Sequence, residues 1–61
     1  MSNKVRLVDT ETGEVIRAVT RYDETEGWVE RMMDNQPPRP EHRPELLTFG
    51  MVREYRPFRV E

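Results

Sequence analysis

The fold is decided by two stretches of the sequence, VDTETGEVIRAV (residues 8–19) and YDETEGWVERMM (residues 22–33). They align without gaps at an offset of 14 residues and share Asp, Gly, Val and Arg at four positions. In each stretch an Asp, three polar residues and a Gly form good turn chemistry, because Asp bonds its own backbone and Gly accepts a positive φ. We therefore predict a three-stranded antiparallel meander with strands at about 4–9, 14–22 and 28–33.

The two turns also set the strand register, if each Asp lies opposite the residue that follows Gly. One face of the sheet is then expected to carry Val5, Leu7, Ile16, Ala18, Tyr22, Val29 and Met33. The other face is expected to carry Val8, Val15, Val19, Trp28 and Met32, beside Lys4, Arg6, Arg17, Arg21 and Glu30. A solvated antiparallel sheet has one apolar and one polar face, whereas both faces here are partly apolar. We therefore expect something else to cover the second face.

The rest of the chain divides into a connector and a C-terminal segment. Residues 34–44 contain four of the five prolines and are expected to be extended, because proline lacks the amide donor that helices and strands use. Residues 45–61 are expected to form one helical turn, between Pro44 and Gly50, and then a strand that Pro57 confines to a sheet edge or bends midway. The predicted fold is a single mainly β domain over residues 1–61: a small antiparallel β-meander of three to four strands with one short helical turn before the last strand.

Composition limits how such a chain becomes stable. It has 61 residues, of which 34% are apolar and 36% charged, with no cysteine and one histidine. A single core of this size supplies only about 3–5 kcal/mol, and neither a disulfide nor a thiolate metal site is available to support it. We therefore expect no cofactor and no metal, and support from a protein partner or a second copy of the chain, as in a homodimer.

The same composition predicts the location and excludes several classes of protein. No apolar run approaches the roughly 18–20 residues that cross a bilayer, and the N-terminus lacks the apolar centre of a signal peptide. A cytoplasmic protein without membrane contact is expected. The net charge of −2 is too small for disorder driven by charge repulsion.

Enzymatic activity is not expected. The sole serine, Ser2, lies at the terminus, and His42 lies in the proline-rich connector without an obvious orienting partner. The acidic clusters at residues 9–14 and 23–26 lack the spacing of a calcium-binding EF-hand loop. Carboxylates at turn tips are expected to be solvated and alike, whereas acid/base catalysis needs two different environments. We interpret both clusters as acidic caps that protect the sheet edges.

Candidate binding residues come from both the sheet and the C-terminal strand. Trp28 with Met32 and Val19 has the composition of a protein interface, although a lone Trp is equally often the anchor of a core. Arg6 and Arg17 face each other in the predicted register, which requires a compensating anion or acidic partner unless the register is shifted by one residue. The complete candidate set is Trp28, Met32, Val19, Arg6, Arg17, Arg21, Tyr55, Arg56 and Phe58.

Nucleic acid is the alternative partner. Basic and aromatic residues alternate from Arg53 to Arg59, as they do in proteins that stack single-stranded bases. However, the sequence pI near 5.4 differs from the strongly basic character of most nucleic-acid-binding domains. The Pro37-Pro38-Arg39-Pro40 run allows two further interpretations, a rigid spacer or a ligand for an aromatic groove.

Residues 4–17 and 22–29 resemble the short, charge-rich proteins with Asp/Glu-Thr-Gly hairpins that tailed bacteriophages encode. The resemblance covers residues 4–33 and transfers no functional residue. It implies a non-enzymatic accessory protein that binds and inhibits or redirects a host complex, or one that supports virion assembly. Together, the sequence predicts a protein–protein interaction module that associates with itself through one sheet face, with single-stranded nucleic-acid binding or a virion accessory role as alternatives.

Overall fold

The structure, a computed structural model that describes residues 5–33 and 36–61, is mainly β. The strands are β1 (Leu7–Asp9), β2 (Val15–Ile16), β3 (Val19–Asp23), β4 (Trp28–Met32), β5 (Glu45–Leu46), β6 (Met51–Tyr55) and β7 (Phe58–Val60). They form two antiparallel sheets with the orders β2-β1-β7 and β3-β4-β6-β5. The predicted mainly β class is confirmed, but two sheets replace the single meander. The predicted strand start at Lys4 and the first two connector residues lie outside the described residues.

Both predicted hairpin loops are present with the predicted register. Asp23 lies opposite Trp28, and the amide of Asp9 donates to the carbonyl of the residue after Gly13. The amides of Gly13 and Gly27 donate to the carbonyls of Asp9 and Asp23 at 2.8 and 2.9 Å. Both glycines have a positive φ, of 80° and 79°, which explains why the two loops share Gly at this position.

The predicted strand 14–22 is wrong, because the chain breaks at Ala18. Ala18 has a left-handed φ of 61°, and its carbonyl accepts a bond from the amide of Met32 at 3.2 Å. This conformation interrupts the two-residue alternation of a strand and sends β2 and β3 into different sheets. As a result Val19, which was predicted on the same face as Trp28, packs against the core instead.

The core lies between the two sheets. Its buried cluster consists of Leu7 and Ile16 from the three-stranded sheet and Val29 from the four-stranded sheet, and these three were predicted to share a face. The half-buried residues Phe58 and Val60 pack against the cluster. Four other residues predicted for this face are exposed or half-buried: Val5, Ala18, Tyr22 and Met33.

The predicted helical turn at 45–49 is also wrong. Glu45–Leu46 forms β5, and the chain turns through Phe49 and Gly50 into β6. Pairing with β6 satisfies the backbone of this segment, since the amide of Leu47 donates to the carbonyl of Met51 at 2.8 Å. Within residues 5–33 and 36–61 one 3-10 turn occurs, at Pro40–His42, so the predicted short helical turn before the last strand is present but lies in the proline-rich connector.

Pro57 separates β6 from β7, which confirms the prediction of a strand bent midway. The bend moves the chain from the four-stranded sheet to the three-stranded sheet, so the C-terminal segment belongs to both.

Gly27→Ala tests the turn chemistry. A Cβ at this position meets nothing within 4 Å, so the cost arises from the positive φ alone. We expect a loss of about 1–2 kcal/mol in the free energy of unfolding, measured by urea denaturation. The control variant Thr25→Ala, at an exposed position of the same loop, is expected to stay within about 0.5 kcal/mol of the wild type. Equal urea midpoints for the two variants would show that the loop does not need a glycine with a positive φ at position 27.

Candidate functional site

The candidate site starts from two charged residues on the inner face of the four-stranded sheet. Arg31 lies opposite Val52, so Glu54 is its diagonal neighbour on the same face of the β4–β6 pair. The guanidinium of Arg31 donates from Nε and Nη2 to the two carboxylate oxygens of Glu54, both at 2.9 Å. Both side chains are buried. This bidentate geometry is the strongest form of ion pair available to these side chains.

Arg56 extends the pair to the other sheet. Its Nη1 donates to Glu54 at 2.8 Å, while its Nε and Nη2 donate to the Asp9 carboxylate at 3.1 and 2.8 Å. Asp9 belongs to β1, so this contact joins the three-stranded sheet to the end of β6. We call Asp9, Arg31, Glu54 and Arg56 the ion network.

The expectation that the turn carboxylates are solvated and alike is wrong, because Asp9 is buried and Asp23 is not. It is 0% exposed, whereas Asp23, at the same position of the second loop, is half-buried. Besides Arg56, the Asp9 carboxylate accepts hydrogen bonds from the amides of Glu11 and Thr12 at 2.7 and 3.0 Å. Asp9 therefore closes its own loop and anchors a residue of the other sheet at the same time.

Both carboxylates of the network are held in the ionised form. Burial raises the pKa of Asp9, but the hydrogen bonds from Arg56 and from two backbone amides outweigh it and leave the pKa below its usual range. Burial likewise raises the pKa of Glu54, and the hydrogen bonds from Arg31 and Arg56 bring it below the usual range. Carboxylates with lowered pKa values are poor general acids near neutral pH.

His42 lies beside the network without completing it. Its side chain is buried, and its Nδ1 lies 3.8 Å from Oε2 of Glu54, beyond hydrogen-bonding distance. Nδ1 has no hydrogen-bond partner within the described residues. An unpaired buried polar atom costs roughly 1–3 kcal/mol and is uncommon, so this position requires an explanation.

A pocket of about 660 Å³ opens above the network. Residues 14–17, from the first hairpin, form one wall, and residues 36–40 of the proline-rich segment form another. Arg31, His42, Glu54 and Arg56 also line it. Nη1 of Arg31 donates to the carbonyl of Gln36 at 2.8 Å, which ties the start of the proline wall to the ion network. We call this cavity the proline pocket.

The outer face of the four-stranded sheet carries a second cluster of charges. Glu30 lies between Arg21 and Arg53 on the neighbouring strands, and Nε of Arg53 donates to its carboxylate at 2.9 Å. The guanidinium carbons of Arg53 and Arg21 lie 4.2 and 5.6 Å from the ring centre of Trp28, within the range of cation–π contact. Trp28 is therefore only 8% exposed, and the arginines form the surface above it.

The structure distributes the predicted binding residues over four places. The outer face of the four-stranded sheet brings together Trp28, Arg21, Tyr55 and the half-buried Met32. Val19 and Phe58 pack against the core, and Phe58 also makes an edge contact with Tyr22, with ring centres 6.0 Å apart. Arg56 belongs to the ion network, and Arg17 lines the proline pocket.

The predicted register that places Arg6 opposite Arg17 agrees with the residue pairs next to them in the β1–β2 hairpin. Leu7 lies opposite Ile16 and Val8 opposite Val15, so a shift by one residue is ruled out. Both arginines are exposed, and the backbone of Arg6 bonds that of Glu61 on the other side. Solvent therefore screens much of the repulsion that the sequence suggested.

Sequence reasoning missed the two most exposed large apolar side chains. Leu46 is 69% exposed and Phe49 is 91% exposed, at the hairpin that joins β5 to β6. Gly50 is the local cue for this turn, and it is a weak one, because the pairs that mark two-residue hairpins are Asn-Gly, Asp-Gly and Gly-Gly. The amide of Met51 donates to the carbonyl of Thr48 at 3.3 Å across that turn.

No family model, curated protein or solved structure matches this chain. Among the described residues, no group of three His, Asp or Glu side chains is placed to hold a metal ion. Residues 5–33 and 36–61 include no helix of the length and apolarity that a bilayer crossing requires.

The ion network predicts how stability depends on pH. Asp9 and Glu54 have lowered pKa values in the folded protein. Their contribution to stability is therefore fully present above the unfolded values near 4, and it is lost as the pH falls through the folded values. We expect the urea midpoint to be level above about pH 5 and to fall steadily below it.

The variant Glu24→Gln, which changes an exposed loop carboxylate, serves as the control and is expected to follow the wild-type profile. Asp9→Asn is expected to be less stable at neutral pH and to lose part of the acid-induced decline. A wild-type midpoint that stays constant or rises between pH 5 and pH 2.5 would refute the role given to these carboxylates.

Proposed function

We propose that this protein is a non-enzymatic module that binds another protein, with Phe49 as the anchor of the contact. The support is the position of Phe49 at the tip of the β5–β6 hairpin, where 91% of its surface is exposed. Aromatic side chains are among the residues that supply most of the binding energy in protein interfaces. The resemblance to bacteriophage accessory proteins, which bind host factors, favours the same type of activity.

The backbone at Phe49 adds to this argument. Phe49 has a φ of 61° and is followed by Gly50 with a φ of 70°, the pair of positive angles that a type I′ turn requires. Asn, Asp and Gly adopt this conformation easily, whereas a bulky aromatic residue does so at a cost of roughly 1–2 kcal/mol. Phe49 gains little packing in return, because it is exposed. A residue that costs stability and contributes none to the core is best explained by binding.

The size of the patch favours a different protein over a second copy as the partner. An aromatic side chain buries roughly 150–250 Å². Two copies that met only through Phe49 and Leu46 would therefore bury much less than the roughly 1,200 Å² of a specific interface. One aromatic ring inserted into an apolar pocket of a partner can supply much of the binding energy from a small contact area. We propose a partner with such a pocket. Self-association of this chain is a different outcome, which the light-scattering experiment below detects.

The outer face of the four-stranded sheet is proposed as the rim of the contact. β5 lies at the edge of this sheet. Glu45 lies opposite Arg53 in the strand register, and the guanidinium of Arg53 lies over the ring of Trp28. Arg43 lies 5.0 Å from the ring centre of Tyr55. Arginine and aromatic residues are both enriched in protein interfaces, so this face has a composition that suits the border of a contact.

Single-stranded nucleic acid is the weaker alternative, because the basic residues of the C-terminal segment are engaged. Arg53 pairs with Glu30, Arg56 lies in the ion network, and Arg59 donates to Glu61 at 2.8 Å. Affinity for a nucleic acid depends on cations that are free to contact phosphates. The exposed basic residues near the aromatic rings are too few for such a surface on an acidic chain.

Phe49→Asn separates binding from folding. Asn adopts a positive φ readily, so we expect the free energy of unfolding to stay the same or to rise by up to about 1 kcal/mol. Binding to the partner is expected to fall by about 2 kcal/mol or more, a loss of roughly 30-fold or greater. The measurement is affinity capture followed by titration of the captured protein against purified variants.

Val5→Thr is the matched control, because Val5 is also an exposed apolar residue but lies in the other half of the chain. A partner captured equally by the wild type and Val5→Thr, and lost with Phe49→Asn, supports the proposal. Equal capture by Phe49→Asn refutes it. Light scattering on the purified chain detects self-association, and a dimer that Phe49→Asn disrupts would replace the foreign partner with a second copy.

A further inference from the structure

The proline pocket is a second feature with the properties of a binding site, and it lies apart from Phe49. Its volume of about 660 Å³ is within the roughly 300–1,000 Å³ typical of small-molecule sites. Pro37, Pro38 and Pro40 form one wall, and their fixed φ angles make that wall stiff. A bond from Arg31 to the carbonyl of Gln36 holds the start of this wall. The site is therefore formed before any ligand arrives, which lowers the entropic cost of binding.

The buried Arg31 and the half-buried Arg56 are already neutralised. Nε, Nη1 and Nη2 of Arg31 all bond to Glu54 or to backbone carbonyls. The same three nitrogens of Arg56 bond to Asp9 and Glu54. These residues fix the shape of the pocket and leave ligand binding to other donors.

Two further arginines supply those donors. Arg17 lies on the hairpin wall and Arg39 on the proline wall, and both are exposed. Neither forms an ion pair within residues 5–33 and 36–61. Because Arg31 and Arg56 are paired with Glu54 and Asp9, the remaining charges of the lining are those of Arg17, Arg39 and Glu14, which leave one net positive charge. Two unpaired arginines that line the same pocket suit a ligand with several negatively charged oxygens.

His42 points to the same type of ligand. Its buried ring lines the pocket, and its Nδ1, which faces Glu54 at 3.8 Å, is unpaired within the described residues. Because Nδ1 is directed at the network, the second ring nitrogen, Nε2, is the one that can bond a ligand. As an N–H donor, Nε2 can donate a hydrogen bond to an anionic oxygen.

We propose that the proline pocket binds an oxyanion, a carboxylate or a phosphate, that is attached to an apolar group. Arg17 and Arg39 bind the charged oxygens, His42 bonds one of them, and the prolines with Val15 contact the apolar part. This inference goes beyond the proposed partner contact, because neither Leu46 nor Phe49 lines the pocket.

The test is a titration of the full ¹⁵N-labelled chain, followed by amide chemical shifts, with benzoate, phenyl phosphate and the neutral benzamide. Sodium chloride keeps the ionic strength constant. We expect one or both anions to produce saturable shifts in residues 14–17 and 36–42 at millimolar concentration, and benzamide to produce none. The tighter of the two anions identifies carboxylate or phosphate as the natural group.

Variants at exposed positions keep the test independent of folding. Arg17→Gln and Arg39→Gln are each expected to weaken the binding about tenfold, and the double variant to abolish it. Arg59→Gln is the matched control, because Arg59 is exposed and lies outside the pocket. Phe49→Asn is expected to bind benzoate like the wild type, so the failure of one proposal does not affect the other. The oxyanion site is refuted if neither anion saturates, if benzamide binds equally well, or if Arg59→Gln weakens binding as much as Arg39→Gln.

Discussion

Arg56 holds the two sheets of this protein together. It lies directly after β6 and bonds Glu54 in its own sheet and Asp9 in the other, while Glu54 in turn bonds Arg31. Each sheet alone is small, and the apolar cluster between them has three buried members among the described residues. The ion network therefore decides how the sheets are placed, and it determines the shape of the proline pocket above it.

Buried ion pairs are not an efficient source of stability, because removing two charges from water costs several kcal/mol per ion. This network reduces the penalty by satisfying nearly every atom: the Asp9 carboxylate accepts from two amides as well as Arg56, and Arg31 bonds two backbone carbonyls. Its directional bonds favour one arrangement of the sheets over others, which a small apolar core specifies weakly. His42 is the exception beside this network, because its Nδ1 has no hydrogen-bond partner within the described residues, and its ring lines the proposed ligand site.

The local turn chemistry was predictable, whereas the assembly was not. Both Asp-to-Gly loops and their registers follow from side chains that bond their own backbone, so the sequence is sufficient for them. The break at Ala18 was not visible, because alanine gives no signal of a left-handed φ. The different burial of Asp9 and Asp23 depends on Arg56, which lies 47 residues beyond Asp9 in the chain. No local pattern reports a contact at that separation.

The candidate sites were only partly predictable for the same reason. Trp28 and Arg21 were predicted to share a face and do so, but that face covers its own aromatic ring with arginines. The exposure of Phe49 followed from a hairpin where a helical turn was expected. Arg17 was among the predicted binding residues and lines the proline pocket, but Arg39 and His42, which share that pocket, come from a segment whose path depends on Arg31.

The most direct test of this account is a double-mutant cycle between Asp9→Asn and Arg56→Gln, with unfolding free energies from urea denaturation at neutral pH. A fixed concentration of a stabilising osmolyte keeps all four proteins folded at the start of the titration. If the Asp9–Arg56 contact joins the sheets, the two losses will be coupled by at least about 1 kcal/mol, and the double variant will be more stable than their sum implies. Losses that add to within about 0.3 kcal/mol would show that the sheets are held together without this contact.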